Sequence, residues 1–497
     1  MPDAEKVPQG AVAEIVTTPE PSPPVDPVDD LVTTQHEIGS GEDALRYTAT
    51  TGRVVLREEV LEDGTFAGLK PRAQEFSTAY VLDGPDPGSR PVTFAFNGGP
   101  GSSSVWLHLG LLGPRRVVMG DVGSLARPPY GLTDNLETLL RVSDLVFIDP
   151  VTTGYSRTSE GRPADDYHGY GRDLESVSEF IRLWTSRNGR WLSPKFLAGE
   201  SYGTLRAAGV AARLAEQAGM YVNGLMLISS VLDLGSVHFT EGNDLPYALY
   251  LPTFTAAAHY HGRIDGNLAA LLAEAEDFAA RDLAWALARG SRLQGSERAE
   301  IVARYAALTG LSTDYVDRAD LRVDLFAFCA QLKREQRRLV GRLDLRFDGW
   351  QEDANEAKMS GYDPSLAAIT GPYSAALNAY VRSELGYASD LVYNLLSAKV
   401  QPWSYQEFEG RSVEVTKALR SAMRANPHLQ VHVACGYYDG STPYFAAQHV
   451  FAHLRLPAAD RERIEWRYYE AGHMMYVHEP SRLQQSVDLA AFVARAR

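Results

Sequence analysis

The chain has 497 residues, 45% of them hydrophobic and 22% charged, which is the composition of a globular protein and excludes a collagen-like or disordered one. Its 63 acidic and 48 basic side chains give a formal net charge of −15. Such a charge repels phosphate backbones and anionic lipid, so we expect neither nucleic acid nor a membrane as a partner. Peptides and small acyl compounds remain as expected ligands, and no oligomeric state is predicted.

The first 40 residues are predicted to be an extended, mobile tail. Seven of the 27 prolines lie between Pro2 and Pro27, and proline disrupts helix interiors and central strands. This segment also lacks a basic stretch followed by an apolar one, and no later apolar run has the length of a membrane span. If Met1 is the native start, we expect the protein in the cytoplasm.

From residue 41 the chain predicts one α/β domain that is interrupted by an insertion. Short β-type runs are followed by apolar strands and amphipathic helices in alternation to about residue 235. The alternation stops over residues 236–404, which are mainly helical and rich in Ala, Leu and Arg. It returns over residues 405–497. Such alternation is typical of a mostly parallel sheet with helices on both faces, so residues 41–235 and 405–497 are predicted to form one α/β core.

The pentapeptide Gly199-Glu200-Ser201-Tyr202-Gly203 is the strongest catalytic signal in the chain. It follows the predicted strand KFLA and opens a predicted helix, which is the context of a nucleophile elbow. Small residues two places before and two places after the serine allow the backbone to bend sharply there. The alternative is an ordinary serine at the start of a glycine-rich helix.

A serine nucleophile needs a base and an orienting carboxylate, and candidates for both follow Ser201 in the chain. Asp439 lies in the loop DGSTP after the predicted strand LQVHVACG, and His473 follows the predicted strand IEWRYYEA. Because the carboxyl ends of parallel strands meet at one edge of a sheet, we expect the three side chains to lie together there. Considered singly, Asp439 has the context of an ordinary turn residue, and His473 is one of 12 histidines.

The segment NGGPGSSS, which starts at Asn97 and follows the strand-like run PVTFAF, predicts an oxyanion hole. In an α/β hydrolase one backbone N–H group comes from such a loop and another from the residue after the nucleophile. The predicted donors are therefore the backbone N–H groups of Gly99 and Tyr202. A glycine-rich turn that only reverses the chain is the alternative.

The two cysteines, Cys329 and Cys435, lie in apolar runs and predict small buried side chains. Two such residues do not make a disulfide framework. No CxxC spacing occurs. His449 and His453 are four residues apart on one predicted helix, but no acidic residue of that helix accompanies them, so no metal site is predicted.

Five blocks of this sequence resemble the serine carboxypeptidase family of the α/β-hydrolase superfamily. They occur in the family's order, as FNGGPGSSS, IDPVTTGYS, GESYG, GYYDGSTP and AGHMMYVHEP. The resemblance implies an α/β-hydrolase fold with a helical cap made by residues 236–404. It also implies the release of C-terminal amino acids from peptides without a metal or organic cofactor. Ser201 would be the nucleophile, His473 the base and Asp439 the orienting acid, with Gly99 and Tyr202 as oxyanion donors.

The resemblance also assigns Asn97 and Glu200 to the binding of the substrate's terminal carboxylate. Three positions depart from the family pattern: Ala95 replaces tryptophan, Leu111 replaces glutamate, and Ser102 replaces cysteine. The first two departures affect carboxylate binding and leave the acyl-transfer residues in place. An esterase or acyltransferase with the same triad is therefore an alternative, and a catalytically silent binding protein on this fold is another. Aromatic residues of the insertion are expected to shape the pocket, namely Tyr247, Tyr250, Phe254 and Trp403.

Overall fold

The computed structural model describes residues 26–120, 122–123 and 125–497, so residues 1–25 of the predicted tail lie outside the described residues. The strands of the described part are β1 (Asp30–Ile38), β2 (Leu45–Glu62), β3 (Thr65–Leu82), β4 (Val92–Phe96), β5 (Arg115–Val118), β6 (Gly131–Asp134), β7 (Asp144–Asp149), β8 (Arg157–Thr158), β9 (Lys195–Glu200), β10 (Gly224–Ile228), β11 (Arg338–Val340), β12 (Asp348–Trp350), β13 (Gln430–Gly436) and β14 (Ile464–Tyr469).

The α-helices of the same residues are α1 (Val105–Leu107), α2 (Tyr170–Arg187), α3 (Tyr202–Ala218), α4 (Leu245–Leu249), α5 (Leu251–Tyr260), α6 (Leu268–Phe278), α7 (Ala284–Arg289), α8 (Gly295–Thr309), α9 (Thr313–Arg318), α10 (Leu325–Gln331), α11 (Pro364–Ser383), α12 (Thr416–Ala425), α13 (Tyr444–Ala452), α14 (Ala458–Arg461) and α15 (Glu479–Ala496). No helix among the described residues is long and apolar enough to cross a bilayer.

The main sheet runs in the order β1-β2-β3-β7-β4-β9-β10-β13-β14, with β8 paired to β3. The strands from β1 to β7 along this order pair antiparallel, whereas pairing from β7 to β14 is parallel. Every residue of β4, β7, β9 and β10 is buried, as expected for parallel strands that have helices on both faces. The predicted mostly parallel sheet with flanking helices is confirmed.

Alternate side chains of the central strands enter two separate hydrophobic layers. In β4, Phe94 and Phe96 pack into the layer that contains Leu205 of α3. Ala95, between them, faces the opposite layer, which Phe492 of α15 helps to close. With both faces covered, the carboxyl edge of the parallel strands is the place where loops with functional residues can gather.

The predicted mobile tail of residues 1–40 is wrong for its last part, because residues 30–38 form strand β1. This strand pairs antiparallel with β2, from Asp30 opposite Arg53 to Ile38 opposite Leu45. An ion pair of 3.2 Å between Asp30 and Arg53 adds to the ladder hydrogen bonds. Pro27 is the last proline of this N-terminal segment. The residues that follow it include several β-branched ones, which favour strand formation.

The inserted segment divides into two parts that pack against different neighbours. Helices α4 to α10 enclose a hydrophobic cluster of their own, in which the ring centroid of Phe254 stacks 4.0 Å from that of Phe328. Helix α11 instead packs on the α/β core, where the ring of Tyr373 lies 5.0 Å from that of Trp106. The structure thus differs from the predicted single cap of residues 236–404, because α11 finds its apolar partners on the core.

Candidate active site

Ser201 lies between β9 and α3. Its backbone conformation, with φ 61° and ψ −129°, is one that residues other than glycine rarely adopt. A Cβ atom at Gly199 would lie 2.1 Å from the carbonyl oxygen of Gly203, and one at Gly203 would lie 2.9 Å from that of Phe96. Both distances are too short for a side chain, so the turn requires glycine at these two positions. The sharp bend that the sequence predicts at Ser201 is present.

Hydrogen bonds hold this strained backbone in place. The N–H group of Ser201 donates to the carbonyl oxygen of Ile228 at 3.0 Å. Thr204 donates its N–H group and its hydroxyl to the carbonyl oxygen of Ser201, at 2.8 and 2.7 Å. Strained backbone persists only where its surroundings over-determine it, and it concentrates at active sites. These contacts favour a nucleophile elbow over an ordinary helix start.

Asp439 and His473 form a buried pair at the carboxyl edge of the sheet, with exposed fractions of 0% and 5%. Nδ1 of His473 donates to Oδ2 of Asp439 at 2.9 Å. The other carboxylate oxygen, Oδ1, accepts from the backbone N–H groups of Ser441 and Thr442 at 2.8 and 2.9 Å, and the Thr442 hydroxyl donates to Oδ2 at 2.7 Å. The loop therefore fixes the carboxylate, and Nε2 is the imidazole nitrogen left for a reacting group.

Opposing effects raise the pKa of His473 above its ordinary value. Burial of the ring lowers this pKa, whereas the charge of Asp439 and the hydrogen bond to it raise it. The charge of Glu200 raises it further, and the cation of Arg342 lowers it. The net increase makes the imidazole a stronger proton acceptor, which suits a general base.

The glycine-rich loop after β4 lies so close to the start of α3 that no side chain fits between them at Gly98. A Cβ atom at Gly98 would lie 2.4 Å from the backbone nitrogen of Tyr202 and 2.7 Å from that of Gly203. Gly99 has φ 100°, in the left-handed region that favours glycine. The first N–H groups of a helix have no intrahelical acceptor, so this contact gathers backbone donors from two segments beside Ser201.

Asn97 and Glu200 lie side by side and are both buried. Nδ2 of Asn97 donates to Oε1 of Glu200 at 2.8 Å, and the hydroxyl of Tyr476 donates to Oε2 at 2.7 Å. Burial raises the pKa of Glu200 to about 7, and Asp439 adds to the increase, while His473 and the two hydrogen bonds oppose it. A carboxyl group with this pKa changes its charge near neutral pH.

One cavity of about 460 Å³ brings together the predicted site residues, except for Asp439, which lies behind His473. Those that line it are Asn97, Gly99, Glu200, Ser201, Tyr202 and His473. A space of this size is in the range of small-molecule and peptide sites.

The insertion lines the same cavity, although with a different set of aromatic residues from the one predicted. Tyr250 borders the cavity, but Tyr247, Phe254 and Trp403 are not among its lining residues. Phe254 is buried in the core of the cap, and Trp403 packs its ring edge-on against Tyr202 with centroids 5.6 Å apart. Two further aromatic residues of the insertion, Phe239 and Phe326, line the cavity, and Tyr405 lines it from the start of the following core segment.

Ala95 and Leu111, the two departures from the family pattern, are buried apolar residues of the core and do not line the cavity. Ser102, the third, accepts a 2.8 Å hydrogen bond from the indole N–H of Trp106. The residues predicted for acyl transfer thus lie around or directly behind one cavity, and Ala95 and Leu111 add no polar group to it.

Two residues that support the site were missed by sequence reasoning. Tyr476 holds Glu200, and its only sequence signal is its place three residues after His473 in the block AGHMMYVHEP. Gly98 permits the contact of the loop with Tyr202, and it lies in the motif next to the predicted donor. Their roles depend on contacts between segments that are distant in the chain.

A buried cation beneath the elbow was also missed. The guanidinium of Arg206 pairs with Asp173 at 2.8 Å, donates to the carbonyl oxygen of Asn97, and lies over the ring of Tyr202 at 5.2 Å. One arginine therefore ties the glycine-rich loop to α3 and so fixes the distance between the two predicted oxyanion donors. An arginine in the middle of the run YGTLRAAGVA carries no sequence signal for this role.

The topology and the strained serine beside a histidine–aspartate pair define the class of the protein, which is a serine hydrolase with the α/β-hydrolase fold. The chain belongs to the serine carboxypeptidase family, whose family model matches residues 79–486. The predicted fold and family are thus confirmed.

The solved structures to which this chain is similar are distant in sequence. Proline iminopeptidase from Mycobacterium smegmatis is 11% identical with a TM-score of 0.37, and the match covers 85% of this chain and 95% of that chain. An alpha/beta hydrolase fold protein from Chitinophaga pinensis is 10% identical with a TM-score of 0.35 and coverages of 88% and 97%. A peroxisomal alpha-beta-hydrolase from Saccharomyces cerevisiae is 10% identical, with a TM-score of 0.33 and coverages of 94% and 90%. No curated protein matches the chain.

Proposed function

We propose that the protein is a serine carboxypeptidase that releases C-terminal amino acids from peptides. One observation carries the proposal: Ser201 and His473, whose ring is paired with Asp439 behind it, line the same cavity as the hydrogen-bonded pair of Asn97 and Glu200. The first group has the chemistry of acyl transfer, and the second has the chemistry to bind a free carboxylate.

In the proposed reaction, Oγ of Ser201 attacks the carbonyl carbon of the last peptide bond while Nε2 of His473 takes the hydroxyl proton. The backbone N–H groups of Gly99 and Tyr202 donate to the oxygen that becomes negative. His473 then gives its proton to the departing amine, the C–N bond breaks, and an acyl ester remains on Ser201. Water attacks this ester by the same route, which frees the shortened peptide and restores the serine.

Glu200 supplies the pH dependence of substrate binding in this proposal. A protonated carboxyl group donates a hydrogen bond to the substrate's terminal carboxylate, whereas an ionised one repels it. Since the pKa of Glu200 is about 7, the proton is held in mildly acidic solution and lost as the pH rises. KM for peptides with a free C-terminus is therefore expected to increase from acidic to neutral pH.

The experiment compares kcat/KM for one peptide with a free and with an amidated C-terminus, from about pH 4.5 to about pH 8. The wild type is expected to prefer the free acid by about ten- to a hundred-fold in acid, the effect of one charge-assisted hydrogen bond, and the preference should shrink as the pH rises. Glu200→Gln should remove that pH dependence, whereas Glu216→Gln, on the exposed side of α3, should not. Equal rates on both peptides at every pH would overturn the carboxypeptidase proposal.

The second candidate is an esterase or acyltransferase with the same triad. It is favoured by the apolar Ala95 and Leu111, which leave the terminal carboxylate with fewer polar partners. Under this alternative, aryl esters without a free carboxylate are hydrolysed at least as fast as the free-acid peptide, and amidation of the peptide changes nothing.

A further inference from the structure

Charged side chains are scarce in the candidate active site. Among the described residues that line the cavity, Arg342 is the one lysine or arginine and Glu200 the one aspartate or glutamate. Arg342 comes from the inserted segment, two residues after the end of β11, and reaches the cavity from the side of the loop that carries Asp439. A cation in a site with few other charges favours an anionic partner. The protein itself places one carboxylate near Arg342, that of Asp363.

Only some of the hydrogen-bond donors of the Arg342 guanidinium have an acceptor in the protein. One Nη1 hydrogen is donated to the hydroxyl of Ser441 at 3.0 Å. Nε lies 3.7 Å from Oδ2 of Asp363, which is an ion-pair distance but too long for a hydrogen bond. Nη2 has no acceptor among the described residues, and the side chain keeps 34% of its surface exposed. A guanidinium has five N–H donors, so the edge that carries Nη2 is available for a ligand.

The backbone around Arg342 packs closely against the loops that carry Asp439 and His473. The carbonyl oxygen of the next residue, Leu343, accepts from the backbone N–H of His473 at 2.7 Å. A Cβ atom at Gly440 would lie 2.6 Å from the carbonyl oxygen of Arg342. The cation is close enough to His473 to lower the pKa of the imidazole. Arg342 therefore lines the same cavity as Ser201 and the predicted base His473.

We propose that Arg342 binds a carboxylate that the substrate carries beside the scissile bond, and that it thereby selects anionic substrates. The proposal rests on the proposed hydrolysis at Ser201 and adds a determinant that Asn97 and Glu200 do not supply. Arginine pairs with carboxylates through parallel N–H donors, and the free edge of Arg342 offers that geometry. The carboxylate belongs to an acidic side chain or to the peptide's terminus, and the substrates below separate these sources.

The test uses three matched pairs of substrates in mildly acidic solution, where the carboxylates of the substrates are ionised and Glu200 keeps its proton. Peptides that end in Glu or in Gln vary the side chain, and free or amidated C-termini vary the terminus. An aryl ester of succinate, with its second carboxyl either free or methylated, varies the charge without a peptide bond. The variants are Arg342→Gln and, as a matched control, Arg289→Gln, which removes a cap cation that does not line the cavity.

Wild-type enzyme is expected to prefer the anionic member of at least one pair. Arg342→Gln should lower kcat/KM on that member by about ten- to a hundred-fold, mainly through KM, as expected for one hydrogen bond between charged groups. The neutral member should change by less than about threefold, because the guanidinium touches only the anion. Arg289→Gln should leave the ratio at its wild-type value. The pair that responds identifies the source of the carboxylate.

Two results overturn the proposal. One is a wild type without preference for the anionic member in any pair. The other is an equal decrease of kcat/KM on the anionic and neutral substrates in Arg342→Gln. That result would mean that Arg342 only stabilises the loop at Ser441. The failure of the proposed function is distinct, since a protein that cleaves the esters but no peptide still reports on Arg342 through the succinate pair. Equal rates of phosphonate labelling at Ser201 in wild type and variant check that the fold is intact.

Discussion

The backbone N–H group of His473 donates a 2.7 Å hydrogen bond to the carbonyl oxygen of Leu343, so an inserted segment contacts the predicted base directly. Two residues further on, the N–H group of Leu345 donates to the carbonyl oxygen of Tyr438 at 3.0 Å, next to Asp439. Residues 341–346 thus connect the two loops that carry Asp439 and His473, the predicted partners of Ser201. The position of the histidine depends on the insertion as well as on its own strand.

Replacement of Ser201 or His473 by alanine is expected to abolish turnover, by about a million-fold in kcat, while the fold stays intact. The double variant should be little worse than either single one, because the residues act as a unit. Labelling by an active-site phosphonate should disappear in Ser201→Ala and persist in Ser296→Ala, whose serine is exposed on α8. If Ser201→Ala retained more than about a tenth of wild-type activity, another residue would be the nucleophile. If the phosphonate did not label the wild type, the catalytically silent binding protein would be favoured instead.

Asp439→Asn is expected to lower kcat by about 10⁴-fold with little change in stability. The asparagine keeps the shape of the side chain, but it can present an N–H group to Nδ1 of His473 and so favour the wrong tautomer. The exposed Asp317→Asn is the matched control, and steady-state kinetics with thermal unfolding is the measurement. A silent Asp439→Asn would withdraw this residue from the triad.

Gly472→Ala is expected to reduce kcat by tenfold or more, on the order of the effect of a small displacement at an active site. A Cβ atom at Gly472 would lie 2.3 Å from Cβ of Asp344, so the bridging segment must move away from the adjacent His473. Overpacking of this kind also costs about 1 to 3 kcal/mol of unfolding free energy. Gly88→Ala, where the nearest atom is 3.6 Å away, serves as the control. Wild-type kcat in Gly472→Ala would mean that the bridge does not position the histidine.

Tyr476→Phe is expected to move the pH dependence of peptide KM to higher pH. The hydroxyl of Tyr476 stabilises the ionised form of Glu200, so its loss raises a pKa that is already about 7. The proton that binds the substrate carboxylate is then kept to a higher pH, and the increase in KM begins later. Measurement of KM against pH for a free-acid peptide tests this, with the exposed Tyr221→Phe as control. A shift toward lower pH would contradict the assigned donor.

The fold of the core and the elbow could be predicted because their signals are local. The spacing of Gly199 and Gly203 around Ser201 is itself the steric requirement of the turn, since each Cβ would meet backbone of the turn or of β4. Likewise, Asp439 and His473 follow strands whose apolar composition marks them in the sequence, and parallel pairing brings their ends to one edge. Each of these features is specified by a few residues that are close together in the sequence.

Features that depend on contacts between distant parts of the chain could not be predicted from local sequence patterns. Strand β1 follows a proline-rich segment and becomes a strand only because β2 offers its edge. Helix α11 has the composition of the cap helices, yet it packs on the core. Arg342 lines the cavity, and its guanidinium forms a hydrogen bond with Ser441, which is 99 residues later in the chain. Such contacts are decided by three-dimensional packing and the burial of apolar surface, and the local order of residues does not encode which distant partner will be met.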